Sequence, residues 1–307
     1  MMQISDNMRG AAFMTGSMVA FTINDTFLKG LSLDIPLAQT LFVRGVGTTF
    51  CLLLISYFMG QLRLGYSRSD WMLILIRAVA EVVAAYLFLT ALFHMPIANA
   101  SAIMQAMPLS VAVAAAVFFR EPLGWRRIVA ILIGFCGVLL IVRPGTEGFN
   151  IYSGYVLASV AAVTVRDLAA RRLSRSVPST MVAVIAAAAV CLSGGVITAT
   201  TTWVAMDQSA WLHITGAMFM VVLGYVFSVT AMRTGEIGFV APFRYASLIA
   251  ALILGYVVFG DWPRNITLLG AFIVVATGMF TIYREQVAAR RLRRSALSAQ
   301  GQSQNGS

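Results

Sequence analysis

Glu81 stands near the centre of a long apolar run, with Arg77 four residues before it. On a helix that spacing puts both on one face, about 6 Å apart along the axis. An ionisable group in hydrocarbon costs roughly 2.5–3.5 kcal/mol or more, so it needs a partner or a watery cavity. Glu81 therefore either binds a solute or a proton, or forms a structural ion pair. Arg44 interrupts a second apolar run, with Gln39 and Thr40 toward one end. It can donate to solute oxygens, or serve as a buried partner for Glu81 or a helix carbonyl. Arg244 and Tyr245 follow Pro242 in a third run. Proline lacks an amide hydrogen and disturbs the helix around it. Arginine adds planar donors, and tyrosine a ring face and a hydroxyl, so this pair is suited to lining a cavity. Gln105 and Asn99 add neutral hydrogen-bonding capacity, competing with a role as interhelical polar bonds. Tyr86 and Phe243 complete the candidate set as aromatic faces.

Other polar residues fit blander roles. Asn24, Asp25 and Asp167 fall near run ends and read as structural. Lys29, Arg166 and Arg171 have stems long enough to snorkel to an interface. His94 and His213 read as interfacial. Trp71, Trp125, Trp203, Trp211 and Trp262 all lie near run ends, as aromatic belts require. Ala80/Ala84 and Ala112/Ala116 have the spacing of small residues at helix contacts.

Several chemistries have no residues to carry them. Cys51, Cys136 and Cys191 each lie inside an apolar run with no CxxC pair, so neither a metal site nor a disulfide is expected. Lys29 is the only lysine and no phosphate-binding loop surrounds it. HExxH and GxSxG are absent. Phe259-Gly260-Asp261 resembles part of an intramembrane aspartyl-protease motif, but Val258 stands where glycine would be needed. The chain therefore reads as no enzyme, with no catalytic residues, cofactor or metal. A membrane scaffold or sensor is a further class, disfavoured by the lack of room for a soluble domain.

The elements that position these residues follow from composition. The 307 residues are 59% hydrophobic and 11% charged, against about 25% charged in an ordinary soluble domain. A lipid-facing surface accounts for that balance. The net charge of +10 does not indicate nucleic acid, because the basic residues sit at the ends of apolar runs rather than on one face. A spanning helix needs roughly 20 apolar residues, and ten runs qualify: 8–28, 35–59, 71–93, 97–119, 125–142, 151–171, 179–202, 210–231, 237–260 and 265–283. The first is too long, and lacks the cleavage site, for a secretory signal. The tail from Arg284 is basic, then rich in Ser, Gln and Gly, and reads as disordered.

Orientation follows from the basic residues. With both termini cytoplasmic, fifteen arginines fall inside: Arg9, Arg63, Arg68, Arg120, Arg126, Arg127, Arg171, Arg172, Arg175, Arg233, Arg284, Arg290, Arg291, Arg293 and Arg294. Only Lys29, Arg143 and Arg264 fall outside, as the positive-inside rule favours.

The halves also resemble each other. Residues 23–32 align with 165–174, matching Asp25 with Asp167, Lys29 with Arg171, and Pro36 with Pro178. Further on, Thr90-Ala91 meets Thr230-Ala231, Phe119 meets Phe259, and Glu121 meets Asp261. An odd number of spans per half inverts the second copy. The predicted fold is an all-α membrane protein with ten transmembrane helices in two inverted five-helix repeats: 8–145, 151–285, and a basic polar cytoplasmic tail at 286–307. Such repeats point to a secondary transporter with its site near the midplane.

The fourth run with Pro108 and its Phe118-Phe119-Arg120-Glu121-Pro122 exit, the ninth at 241–263, and Arg166–Leu173 together resemble the EamA type of the drug/metabolite transporter superfamily, over roughly 8–285. That resemblance implies helices around a central cavity, alternating access and a bacterial inner-membrane location. The branch is similar to riboflavin importers and related to carriers of S-adenosylmethionine and amino acids. The expected partners are thus a small-molecule solute, riboflavin first, and membrane lipid, with a homodimer left open. The cavity is expected between helices one to four and six to nine, with Arg44, Glu81, Tyr86, Asn99, Gln105, Phe243, Arg244 and Tyr245 as substrate-binding residues.

Overall fold

The computed structural model describes residues 6–304 apart from 33, 63–64, 121–123, 145–149, 175 and 235–236. Arg63, Glu121, Pro122 and Arg175 of the sequence reading lie outside the described residues. The described chain is all-helical: α1 Asp6–Gly30, α2 Leu37–Phe58, α3 Arg68–His94, α4 Ile97–Met104, α5 Met107–Phe119, α6 Trp125–Val142, α7 Ile151–Arg172, α8 Ser179–Ala199, α9 Gln208–Thr234, α10 Ile237–Val240, a 3-10 turn Ala241–Tyr245, α11 Ala246–Phe259 and α12 Asn265–Gln304.

Eight of these segments are long and apolar enough to cross a membrane, counting Ile97–Phe119, Ala241–Phe259 and Asn265–Arg284 as one each. α1 and α7 have 25 and 22 residues but carry charged side chains. The outside of the bundle is apolar, with Phe50, Phe58, Leu132, Leu212, Val257 and Phe272 all exposed. The five tryptophans are exposed too. Water would not tolerate such a surface, whereas hydrocarbon matches it.

Two expected helices are broken. The run 97–119 divides at Gln105-Ala106, and 237–260 passes through the 3-10 turn. Pro108 and Pro242 explain both breaks, since each removes an amide donor and crowds the carbonyl four residues back. The tail differs from expectation in the other direction, because α12 runs on to Gln304. Ala, Arg, Leu and Gln are good helix formers, and an existing helix extends without a new nucleus.

Helices meet in a regular set of pairs: α1 on α9, α3 on α7, α2 on α8, α6 on α12 and α4 on α11. The α6–α12 crossing needs glycine. A Cβ on Gly137 would stand 2.9 Å from the Gly270 carbonyl oxygen, and one on Gly270 2.6 Å from that of Gly137. Serines tie two other pairs, with Ser17 donating to the Gly224 carbonyl at 2.7 Å and Ser159 to that of Ala84 at 3.0 Å.

Candidate functional site

The two ends of the bundle differ. Around Lys29 the interior is filled by Leu28, Leu92, Met95, Ile97, Val138, Ile141 and their neighbours. Toward the opposite end, where α5, α7 and α9 finish and α6 begins, lies a cavity of about 610 Å³. Its floor is built by the two broken segments. Gln105 closes α4, Arg244 and Tyr245 belong to the 3-10 turn, and all three line the cavity with Ser247. Gln105 Nε2 donates to Ser247 Oγ at 2.8 Å, joining one break to the other. Met18, Met104, Met107 and Met232 supply a soft apolar wall. Arg127, Asp167 and Arg171 add charge toward the mouth.

Beside the cavity runs a chain of charged groups. Arg166 Nη1 contacts both Glu81 oxygens, at 3.3 and 3.4 Å, while its Nε donates to Asp167 Oδ1 at 2.9 Å. One guanidinium thus serves two carboxylates, and Asp167 carries the network into the cavity wall. Arg44 Nη1 donates to Asn24 Oδ1 at 3.0 Å, and Asn24 Nδ2 to Asp25 Oδ1 at 2.9 Å. Tyr225, edge-on to Phe21 at 5.5 Å, lies within electrostatic reach of Glu81, Arg166, Arg77 and Arg44. Arg244 is exposed to the cavity, and its guanidinium makes no hydrogen bond among the described residues.

Several expectations change. Glu81 pairs with Arg166, not Arg77, whose Nη1 points instead toward the Val182 carbonyl at 3.5 Å. Helical spacing put Arg77 within reach, but a side chain from α7 presents a closer guanidinium. Arg44 meets Asn24 rather than Glu81. Arg166 and Lys29 do not snorkel. Lys29 Nζ donates to the carbonyl oxygens of Leu92 and Met95 and lies over the Phe259 ring at 5.3 Å. Asp167, read as structural, lines the cavity. Of the eight candidate residues, Gln105, Arg244 and Tyr245 converge there, and Arg44 and Glu81 belong to the adjoining charged network. Phe243 is 38% exposed and tilts against Phe239, away from the cavity. Tyr86 packs against the main core, and Asn99 lies beyond the floor in α4. The cavity also takes Arg127 of α6 with Thr281 and Ile282 of α12, helices not expected to line it, while α2, α3 and α8 contribute none of its described lining. Asp167 and Ser247 were the residues missed. The pairing of Asp167 with Asp25 across the halves was the available signal for the first.

A profile of the EamA-like transporter family matches residues 8–143. A riboflavin transporter of Vibrio cholerae is 28% identical, covering 93% of this chain and 97% of its own. The chain thus resembles the EamA-like transporter family. An S-adenosylmethionine uptake transporter of Rickettsia felis is 23% identical, covering 92% and 95%. A pseudopaline exporter of Pseudomonas aeruginosa is 26% identical over 83% and 89%. A crystal structure described only as that of a protein superposes with a TM-score of 0.61 at 20% identity, covering 92% of this chain and 98% of the other, a likeness of fold. The apolar helices make the chain a multi-pass membrane protein, and the curated proteins it is similar to are transporters.

Proposed function

We propose that this chain is a secondary transporter of the bacterial inner membrane, with both termini cytoplasmic, moving a small organic metabolite by alternating access. Ten helices span the bilayer, in inverted halves at 8–145 and 151–285, followed by the tail at 286–307. α1 and α7 count among the ten because their charges are satisfied within the bundle, which removes most of the cost of placing them in lipid. The inversion is supported by matched features. Ser17 and Ser159 stand 142 residues apart and make the same kind of bond, to carbonyls 140 apart. Both breaks fall at corresponding places in the fourth and ninth spans.

One observation carries the transport reading: a cavity floored by two broken helices that meet through Gln105 and Ser247. Broken spans present backbone and polar groups to a solute at membrane depth. About 610 Å³ lies within the range of pockets that hold drug-sized ligands. Gln105, Arg244 and Tyr245 are assigned to contact the solute directly. Arg44 and Glu81 act behind them, and Tyr86, Asn99 and Phe243 have weaker claims.

Riboflavin import is the first substrate assignment. Likeness to a riboflavin transporter supports it, as does a lining with neutral donors and an aromatic floor. S-adenosylmethionine is the alternative, supported by likeness to its carriers; other amino-acid or metabolite carriage, or export, ranks below both. Charge favours riboflavin over a cation, since the charged lining residues among those described are Arg127, Arg171, Arg244 and one acid, Asp167. The test is uptake of labelled riboflavin and of S-adenosylmethionine into proteoliposomes, with growth of a riboflavin auxotroph that lacks its own importer. Riboflavin uptake that falls when Arg244→Ala is introduced is the expected result. Uptake of the cation alone would transfer the assignment, and uptake of neither would remove both.

A further inference from the structure

α6 and α12 pack tightly over only part of their length. Gly137 and Gly270 let the two backbones touch, and a Cβ on Gly134 would stand 2.7 Å from Thr277 Oγ1. Closer to the start of α6 the small residues give way to Trp125, and α12 offers Phe280. Rings of that size hold the helices apart, and a groove of about 390 Å³ remains between them. Exposed Val129, Ile133 and Ala276 line it, with buried Ala130 beneath. Thr277 lines it too, but its hydroxyl already donates to the Ile273 carbonyl at 2.7 Å. The groove is therefore apolar along its length.

One charge stands at its end. Adjacent arginines of α6 face different ways, Arg127 lining the central cavity and Arg126 the groove. Arg126 is exposed and lies over the Trp125 ring at 5.4 Å. It makes no hydrogen bond or ion pair among the described residues. Trp125 and Arg126 begin α6, the place of an aromatic belt at a membrane boundary. From there to Ile133 the groove runs about 12 Å toward the bilayer centre.

Whatever covers the groove must match both parts. A second copy of the chain would bury the Arg126 cation against apolar surface, leaving an unpaired charge. A neutral or zwitterionic lipid would fill the groove and bring the cation no net charge. An anionic lipid meets both demands, with an acyl chain in the groove and a phosphate on the guanidinium, whose planar fork matches phosphate oxygens. We propose that the α6–α12 groove is a binding site for one anionic glycerophospholipid, with Arg126 holding its headgroup. The lipid completes the contact between α6 and α12 that the glycines make deeper in the bundle. The site is separate from the cavity and independent of which solute the cavity takes.

The full-length protein, stripped of lipid in detergent, tests this by titration with phosphatidylglycerol or with phosphatidylcholine of the same chains. Binding is read by native mass spectrometry and by melting temperature. The parent is expected to hold one phosphatidylglycerol, about five-fold more tightly than phosphatidylcholine, as one cation at an anionic headgroup allows. Arg126→Gln is expected to abolish that preference and Arg126→Lys to retain it. Arg68→Gln removes another exposed arginine at a helix start and is expected to leave the preference unchanged. Ala276→Trp and Val129→Trp each place a ring in the groove from an exposed position. Either is expected to displace both lipids without lowering the melting temperature of the lipid-free protein, and if one fails to fold the other carries the test. A parent without preference, or a preference that Arg126→Gln keeps or Arg68→Gln equally removes, would overturn the proposal. So would equal stabilisation by inorganic phosphate, retention of a free fatty acid in place of the phospholipid, or a dimer cross-linked through Ala276→Cys in a protein otherwise free of cysteine.

Discussion

Asn24-Asp25 and Arg166-Asp167 occupy corresponding places in α1 and α7, and the structure gives them the same local geometry with different charge. In each, the first side chain donates to the carboxylate of the second at 2.9 Å. In α1 that donor is neutral and the cation, Arg44, arrives from α2. In α7 the donor is itself the cation, and it is shared with a carboxylate from α3, Glu81. Two segments that align in sequence thus share a local bonding pattern while their charges differ, each carboxylate still having a cation nearby within the bundle. The α7 dyad is also the one whose carboxylate reaches the cavity wall, so the asymmetry lies beside the cavity.

Making the α7 dyad neutral like its counterpart is the harshest test. Arg166→Asn leaves Glu81 and Asp167 without their shared guanidinium. Removing one partner of a fully buried pair costs about 3–5 kcal/mol, and these side chains, 18–27% exposed, are expected to lose less than that. A large fall in melting temperature of the detergent-solubilised protein is expected. Glu81→Gln in the same background is expected to restore much of it. A single variant as stable as the parent would mean that water, rather than Arg166, already screens these carboxylates.

The reciprocal change is expected to cost less. Asn24→Arg sets a second guanidinium beside Arg44 with one carboxylate, Asp25, to serve both. Crowding and like charge together are expected to cost about 1–3 kcal/mol, read from the same melting experiment. Adding Arg44→Gln to relieve the repulsion should recover part of the loss. No recovery would show that crowding, not charge, sets the difference between the dyads.

The apolar runs that became the eight membrane-length helices could be read from spacing, because burial in lipid writes itself as length and hydropathy. The partner of Glu81 could not. Arg77 and Arg166 are 89 residues apart in the chain, and only the packing of α3 on α7 decides which guanidinium arrives. Lys29 was misread for the same reason. A long basic side chain near a helix end can reach water or a neighbouring helix terminus, and its own sequence does not distinguish them. Gln105 was recognised as a cavity residue, but its bond to Ser247 depends on two helix breaks meeting, which no local pattern encodes.

Those breaks give a finer comparison, between two halves of one floor. Gln105→Ala removes the donor and Ser247→Ala the acceptor of a single 2.8 Å bond. Interhelical polar bonds in membranes average about 0.6 kcal/mol, so a double-mutant cycle on melting temperature should show a coupling of that order. On riboflavin uptake the two are expected to differ, with the glutamine variant raising KM more because its amide also faces the cavity. Equal effects on KM would make the pair structural alone.

The smallest expected effect comes from two like hydroxyl bonds, one made by α1 and one by α7. Ser17→Ala and Ser159→Ala each remove one hydroxyl donated to a neighbouring helix carbonyl, Gly224 on α9 and Ala84 on α3. Both serines are fully buried, so neither site can substitute bulk water for the lost donor. Each carbonyl keeps its place in its own helix, which limits the loss to about 0.6 kcal/mol. Equal small falls in melting temperature are therefore expected, with riboflavin uptake near the parent level. If the helix pairs are equivalent and only the dyads diverge, the two serine variants must agree. A large loss confined to Ser159→Ala would place the asymmetry in the packing of α3 on α7 as a whole, with the Arg166 network following from it rather than standing as its cause.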